Sequence, residues 1–172
     1  TGLRHAYAQG YSHALQIDAD GQHHWPDIDT FIATSQQQPT AVVIGAPQYD
    51  DSVPRKRLYA RYATHIWIWI NSLSFAIKDS MCGFRVYPLA ASIQVLDSAK
   101  LEARMGFDPE ILVRLHWLAT PVINIPTPVI YPADGNSHFL LWRDNLGISR
   151  VHTRLFFGML LRLPVLLWRN LV

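Results

Sequence analysis

Two aspartates, Asp18 and Asp20, stand one residue apart where the apolar stretch 13–17 ends, in HALQIDADGQHHWPDI. Two carboxylates this close repel each other, and each resists leaving water. A positive partner resolves both problems. A hard divalent cation prefers oxygen ligands, and Mg²⁺ takes one or two carboxylates together with substrate phosphates. Asp-x-Asp on a turn can aim both carboxylates at one ion, and Gln22 can add a neutral oxygen. The same spacing suits two turn-favouring aspartates, one of them capping a helix. The apolar stretch before them tips the reading toward a site. An EF-hand loop fails, because His23 and Asp29 hold its Gly and Glu positions. His23 and His24 lack a second ligand pair at zinc spacing and read as polar turn residues.

Three further groups could carry chemistry. In ARMGFDPEILVRL, Asp108 and Glu110 open a helix, where the dipole favours anions. Asp108 reads either as an N-cap before Pro109 or, if it faces Asp18 and Asp20, as a base for an attacking hydroxyl. In KDSMCGFRVYP, Gly83 permits close backbone approach, and Arg85 either reaches a phosphate or flanks a core strand. The lone cysteine, Cys82, excludes an internal disulfide and reads as a small core residue. In the tail RLFFGMLLRLPVLLWRNLV, arginines punctuate an apolar run. Split at Pro164, neither piece reaches the roughly 20 residues that span a bilayer. The tail either lies in a membrane interface or packs on the domain or a second subunit.

The elements that position these residues follow from periodicity and breakers. The 172 residues suffice for one domain with a real core. They are 49% hydrophobic and 16% charged, and the net charge of +2 gives no argument for nucleic acid. Helix is predicted over 3–9 with a stop at Gly10, strand over 13–17, and helix from Pro26. The β-branched run 40–47 predicts a strand buried on both faces, and 48–57 a polar loop. A long helix over 58–78, a strand over 82–88 and a short helix over 89–98 follow. An amphipathic helix over 108–119 precedes a proline-bearing extended segment, and 139–172 is helical with a break near Pro164. This alternation predicts an α/β fold with a mostly parallel sheet, whose ligands bind beyond the carboxyl ends of the strands.

QIDADGQHHWPDI, DSMCGFRVYP and MGFDPEILVRLHWLATPVINIPTPVIYP occur in this order. Together they resemble the family 2 glycosyltransferases, in the branch similar to dolichyl-phosphate mannose synthases. YPADGNSHFLLWRDNLGISRVHTRLFFGMLLRLP looks like a bacterial branch found with lipid and envelope biosynthesis. The resemblance implies a GT-A fold over 1–138, with 139–172 as a helical, membrane-interfacial segment. It implies Mg²⁺ or Mn²⁺ held by Asp18 and Asp20, with Gln22, against the diphosphate of a UDP- or GDP-linked sugar. It implies Asp108 as general base with Glu110 beside it, and Arg85 near the phosphates or acceptor. Ser137 and His138 would lie in a loop closing over the donor. The implied reaction inverts the anomeric carbon, and the implied acceptor is a lipid or polyprenyl phosphate. The implied place is cytoplasmic, peripheral at the inner face of the cell membrane.

The family pattern also begins with a strand and a nucleoside-gripping segment that are not in this sequence, so the chain is expected to be part of a longer protein. The sheet edge thereby left open favours association, including a homo-oligomer. Two other readings stand beside the transferase. A haloacid-dehalogenase-like phosphatase shares a strand followed by Asp-x-Asp-Gly, but here Gln22 stands at its usual Thr position. A membrane-docked module could keep the fold without catalysis.

Overall fold

The computed structural model describes residues 2–49, 53, 55–130 and 141–171. The elements run α1 (Gly2–Ala8), β1 (His13–Gln16), α2 (Ile28–Gln37, entered through a 3₁₀ turn Trp25–Asp27), β2 (Val42–Tyr49), α3 (Arg55–Ser72), β3 (Arg85–Pro88), α4 (Leu89–Ser98), α5 (Phe107–Trp117), β4 (Val122–Val129) and α6 (Leu141–Leu171). The fold is mixed α/β, with four strands in the order β1-β3-β2-β4.

The sheet is mixed, which corrects the expectation of a mostly parallel one. β3 pairs antiparallel with both β1 and β2, while β2 and β4 pair in parallel along their whole length, from Val42↔Val122 to Tyr49↔Val129. β1, β2 and β4 therefore share a direction that β3 opposes. The cause is the segment 73–84. It follows α3 and contributes the buried Ile77, Asp79, Ser80 and Cys82. It brings the chain back to the carboxyl end of β2, so β3 must start there and run the other way.

β2 is buried on both faces, as its β-branched run requires. On one face Val42 and Ile44 join Ile68, Tyr87, Ile111, Leu115, Val151 and Leu155 beneath α3, α5 and α6. On the other, Val43, Phe84 and Val86 pack with Phe31 of α2, whose ring stacks on Phe84 at 4.0 Å. Pro126 and Pro128 sit on β4 without breaking it. β4 is an edge strand, and both prolines are exposed, so no ladder donor is missed.

Two helices depart from expectation. α3 ends at Ser72, not near residue 78. There the Ser72 hydroxyl donates to the Ile68 carbonyl, and Leu73 adopts a left-handed φ of 50°. α6 does not break at Pro164. The proline removes one N–H, but the buried face continues across it, through Leu155 and Met159 to Leu166. Uninterrupted, Trp142–Arg169 is long and apolar enough, by length and composition alone, to cross a membrane. Of the apolar window within it, 28% is buried, packed along α3 and α5.

His152 on α6 is one of these buried groups, with Nδ1 3.2 Å from Nδ2 of Asn71 on α3. Burial pushes its pKa down to about 4. Burial, aided by Arg169, also lowers His116. The unfolded chain takes up these protons near the ordinary value of about 6.5. Below that value the unfolded state binds more protons than the folded one, so stability falls as pH falls. The His152 contribution is complete above about pH 6.5 and is worth about 3 kcal/mol when lost. The urea midpoint is expected to fall between about pH 6.5 and about pH 4, and His152→Gln should flatten that slope. A flat wild-type profile over this window would contradict the burial argument.

Candidate functional site

The chain leaves β1 at one edge of the sheet and crosses its carboxyl end. Gln22 accepts the Ile130 N–H through its carbonyl, and His23 bridges Val129, both at the end of β4 on the opposite edge. Three strand spacings need about 14 Å, and the six residues 17–22 reach roughly 20 Å. The Asp-x-Asp segment is therefore a strap over the carboxyl ends of β1, β2 and β4 and the start of β3.

Gly83, just before β3, makes room for Asp18. A Cβ built there would collide with all three terminal atoms of the Asp18 carboxylate. His23 stands 4.0 Å from Asp18 Oδ2, its side chain buried and tilted against Phe84 at 5.8 Å. The nearby imidazole holds the Asp18 carboxyl below its ordinary range, against the cost of burial, with Arg85 and Gln16 helping. For His23, burial favours the neutral ring, but Asp18 and the Cys82 sulfur outweigh it and raise the pKa to about 9. His23 is thus no simple polar turn residue: its buried ring is a basic neighbour of the Asp18 carboxylate, 4.0 Å away.

Asp108 is not an N-cap. The N-cap of α5 is Gly106, whose N–H donates to Glu102 Oε2 at 2.9 Å. Asp108 lies inside the first turn and turns toward the sheet. Its Oδ1 pairs with Arg85 Nη1 at 2.9 Å and receives Gln16 Nε2 at 3.5 Å. Burial pushes its pKa up, the charge of Asp18 adds to this, and Arg85 opposes it. The structure therefore brings Asp18 and Asp108 into one electrostatic group, with Gln16 reaching toward both.

Arg85, expected at a phosphate or acceptor, is fully buried. It donates from Nε to the Cys82 carbonyl, from Nη1 to the Tyr87 hydroxyl and the Asp108 carbonyl, and from Nη2 to the Ser80 carbonyl. It positions Asp108 from beneath. Glu110 is not brought to the cluster. It is fully buried on another side of α5, where it accepts from Arg114, Arg154 and the Glu102 N–H and ties α5 to α6. Asp20 is exposed, and its Oδ1 accepts the Gln22 N–H at 3.0 Å, closing a turn. Ser137 and His138 lie outside the described residues.

The sequence reading passed over a second feature. A cavity of about 240 Å³ opens beyond β2, lined by Ala46, Pro47, Arg61, His65, Lys78 and Asp79 among others. Arg61 holds both oxygens of Asp79, and His65 lies 3.3 Å from it. Although burial opposes ionisation, His65 and Arg61 keep Asp79 well below the carboxylate range. Asp79 also accepts the N–H groups of Met81 and Cys82, so one turn joins this cavity to the Asp18 seat at Gly83. An aspartate two and three residues before its N–H partners is the local signal that could have marked this turn.

A hard divalent cation takes oxygen ligands, and the two carboxylates of the strap, Asp18 and Asp20, both reach solvent. Among the described residues, no three His, Cys, Asp or Glu side chains gather around one point. Mg²⁺ bound with substrate phosphates needs only one or two carboxylates. Asp18 is half-exposed in its glycine cradle, and Asp20 is exposed two residues on. A raised-pKa carboxylate, Asp108, lies within electrostatic reach of Asp18, held from beneath by a buried guanidinium. No family model matches the chain, and neither does any curated protein.

Proposed function

We propose that this chain is the metal-binding and acceptor part of a GT-A-type glycosyltransferase. In this reading it moves a sugar from a UDP- or GDP-linked donor to a lipid-linked or envelope acceptor, with inversion, at the inner face of the cell membrane. One observation carries the reading. Asp108, which the resemblance implies as a base, is paired with the buried Arg85 within electrostatic reach of Asp18, and its proton affinity is raised.

Asp18, Asp20 and Gln22 would hold Mg²⁺ or Mn²⁺, which when bound offsets charge on a departing diphosphate. Asp108 takes the proton of an acceptor hydroxyl, and its raised pKa suits that transfer. Arg85 and Gln16 fix the carboxylate in place. A phosphate acceptor needs no base, since it is already ionised. The cavity beside the site carries Lys78 and the Arg61–Asp79 ion pair on its wall.

The test is donor release by the full-length protein. UDP- and GDP-sugars are screened for hydrolysis with Mn²⁺ or Mg²⁺, and the screen is repeated with Asp20→Asn. Metal-dependent release that the substitution lowers by about a hundredfold or more is expected, and it names the donor. No release from any donor, with membrane lipid present, favours the non-catalytic module. One observation already leans that way: the turn hydrogen bond of Asp20 gives that residue a purely structural use.

A further inference from the structure

α6 changes character halfway along. In its first half the exposed side chains include Arg143, Asn145, Ser149, Arg150 and Thr153. From residue 157 onward the exposed face is built of Phe157, Leu160, Leu161, Val165, Leu167 and Trp168, with Leu161 at 84% and Trp168 at 68% exposure. The two arginines of this half fold back toward α5. Arg162 lies over the Trp117 ring at 4.6 Å, and Arg169 donates to the carbonyls of His116 and Trp117. The apolar face is thus left clear of charge.

This face continues onto α3. A groove of about 640 Å³ separates the two helices, with Trp67 on one wall and Phe157 on the other. Both are exposed, as are Ile66 and Ile70 beside Trp67. α6 carries five arginines and one acidic residue, Asp144, which is buried and paired with Arg104. Arg143 and Arg150 are exposed on the same helix as Trp142, itself 91% exposed.

We infer that the joint face of α3 and α6 docks on an anionic phospholipid bilayer, with residues 157–168 entering the acyl boundary and the arginines of the first half meeting headgroups. Charge selects this occupant. A second copy of this helix offers the exposed Arg143 and Arg150 no opposite charge, since its one acidic residue, Asp144, is buried and paired. An anionic leaflet offers the opposite charge. Tryptophans near both ends of the helix suit a headgroup level, where one side of the ring is apolar and the other wet. The inference deepens the reading of a membrane-borne acceptor, but its measurement requires no reaction.

The test is sedimentation of the intact protein with vesicles of phosphatidylcholine, with and without phosphatidylglycerol. Binding to the mixed vesicles is expected to be at least about tenfold stronger. Leu161→Asp with Trp168→Asp should weaken it by about tenfold or more, with an unchanged urea midpoint, because both side chains are exposed. Arg150→Glu should weaken only the phosphatidylglycerol-dependent part. Lipids brominated on the acyl chain should quench the wild type more than Trp168→Phe. Failure of the wild type to bind either vesicle overturns the inference, as does undiminished binding by the double variant. So does a lipid-free dimer that the double variant converts to monomer. Donor hydrolysis in detergent is scored separately. Binding without hydrolysis of any donor removes the transferase and leaves the docking face standing.

Discussion

Replacing Arg85 with Met is expected to lower folding stability by about 3–5 kcal/mol, the cost of removing one partner from a buried ion pair. The side chain is fully buried, so none of its interactions is traded against water in the folded state. Its loss strands the largely buried Asp108 carboxylate without a cation. It also leaves the carbonyls of Ser80 and Cys82 and the hydroxyl of Tyr87 without their donor. Each unsatisfied buried group adds about 1–3 kcal/mol, although relaxation of the 79–84 turn will recover part of the sum. Arg85→Lys should recover only a minor part. A lysine carries the charge but cannot reproduce a planar fork that reaches two carbonyls, a hydroxyl and a carboxylate at once. Urea unfolding of the three proteins decides the matter. A midpoint for Arg85→Met close to wild type would mean that the guanidinium is not the hub of this turn. It would then be available to a ligand, as the sequence alone allowed.

That contrast marks where sequence reasoning works here and where it stops. Local rules served well where one element decides its own fate. The helix from Leu89 to about Ser98 is legible in the sequence, because a strand ending in Pro88 passes directly into an unbroken helical pattern. The double burial of β2 could be read from its β-branched run. Rules failed where distant segments decide. The direction of β3 depends on how 73–84 returns over the sheet, and no period in the sequence encodes that return. Pro164 looked like a break because the cost of a proline is local, whereas the burial that offsets it comes from α3 and α5.

The same division holds for the site. Asp18 could be singled out from its spacing, and its need for a positive partner from electrostatics alone. That its basic neighbour in the fold is His23 could not, because the strap that bends His23 back is fixed by Gln22 and His23 at the far edge strand. Asp108 and Glu110 look equivalent in sequence. They lie two positions apart on α5 and so point in different directions, one to Arg85 and one to Arg114 and Arg154. Only the packing of α6 shows which of the two the site can use.

Gly83→Ala should separate the role of the Asp18 seat from its part in folding. A methyl group at 83 would occupy the space of the Asp18 carboxylate. Asp18 is half-exposed, so it can swing into water at the price of its contact with His23. The folding loss is therefore expected to be modest, about 1–2 kcal/mol. Metal-dependent donor hydrolysis should fall far more, by about a hundredfold, because a displacement of about 1 Å at a reacting centre costs that much. Gly158→Ala is the control. Its added methyl would meet the Trp117 ring at 2.7 Å and 3.1 Å, overpacking the contact between α6 and α5 away from Asp18. It should cost comparable stability and leave hydrolysis within a few-fold of wild type. Equal loss of activity in both variants would show that hydrolysis simply follows stability. Unchanged activity in Gly83→Ala would remove Asp18 from the site and leave its glycine cradle as a packing detail of the strap.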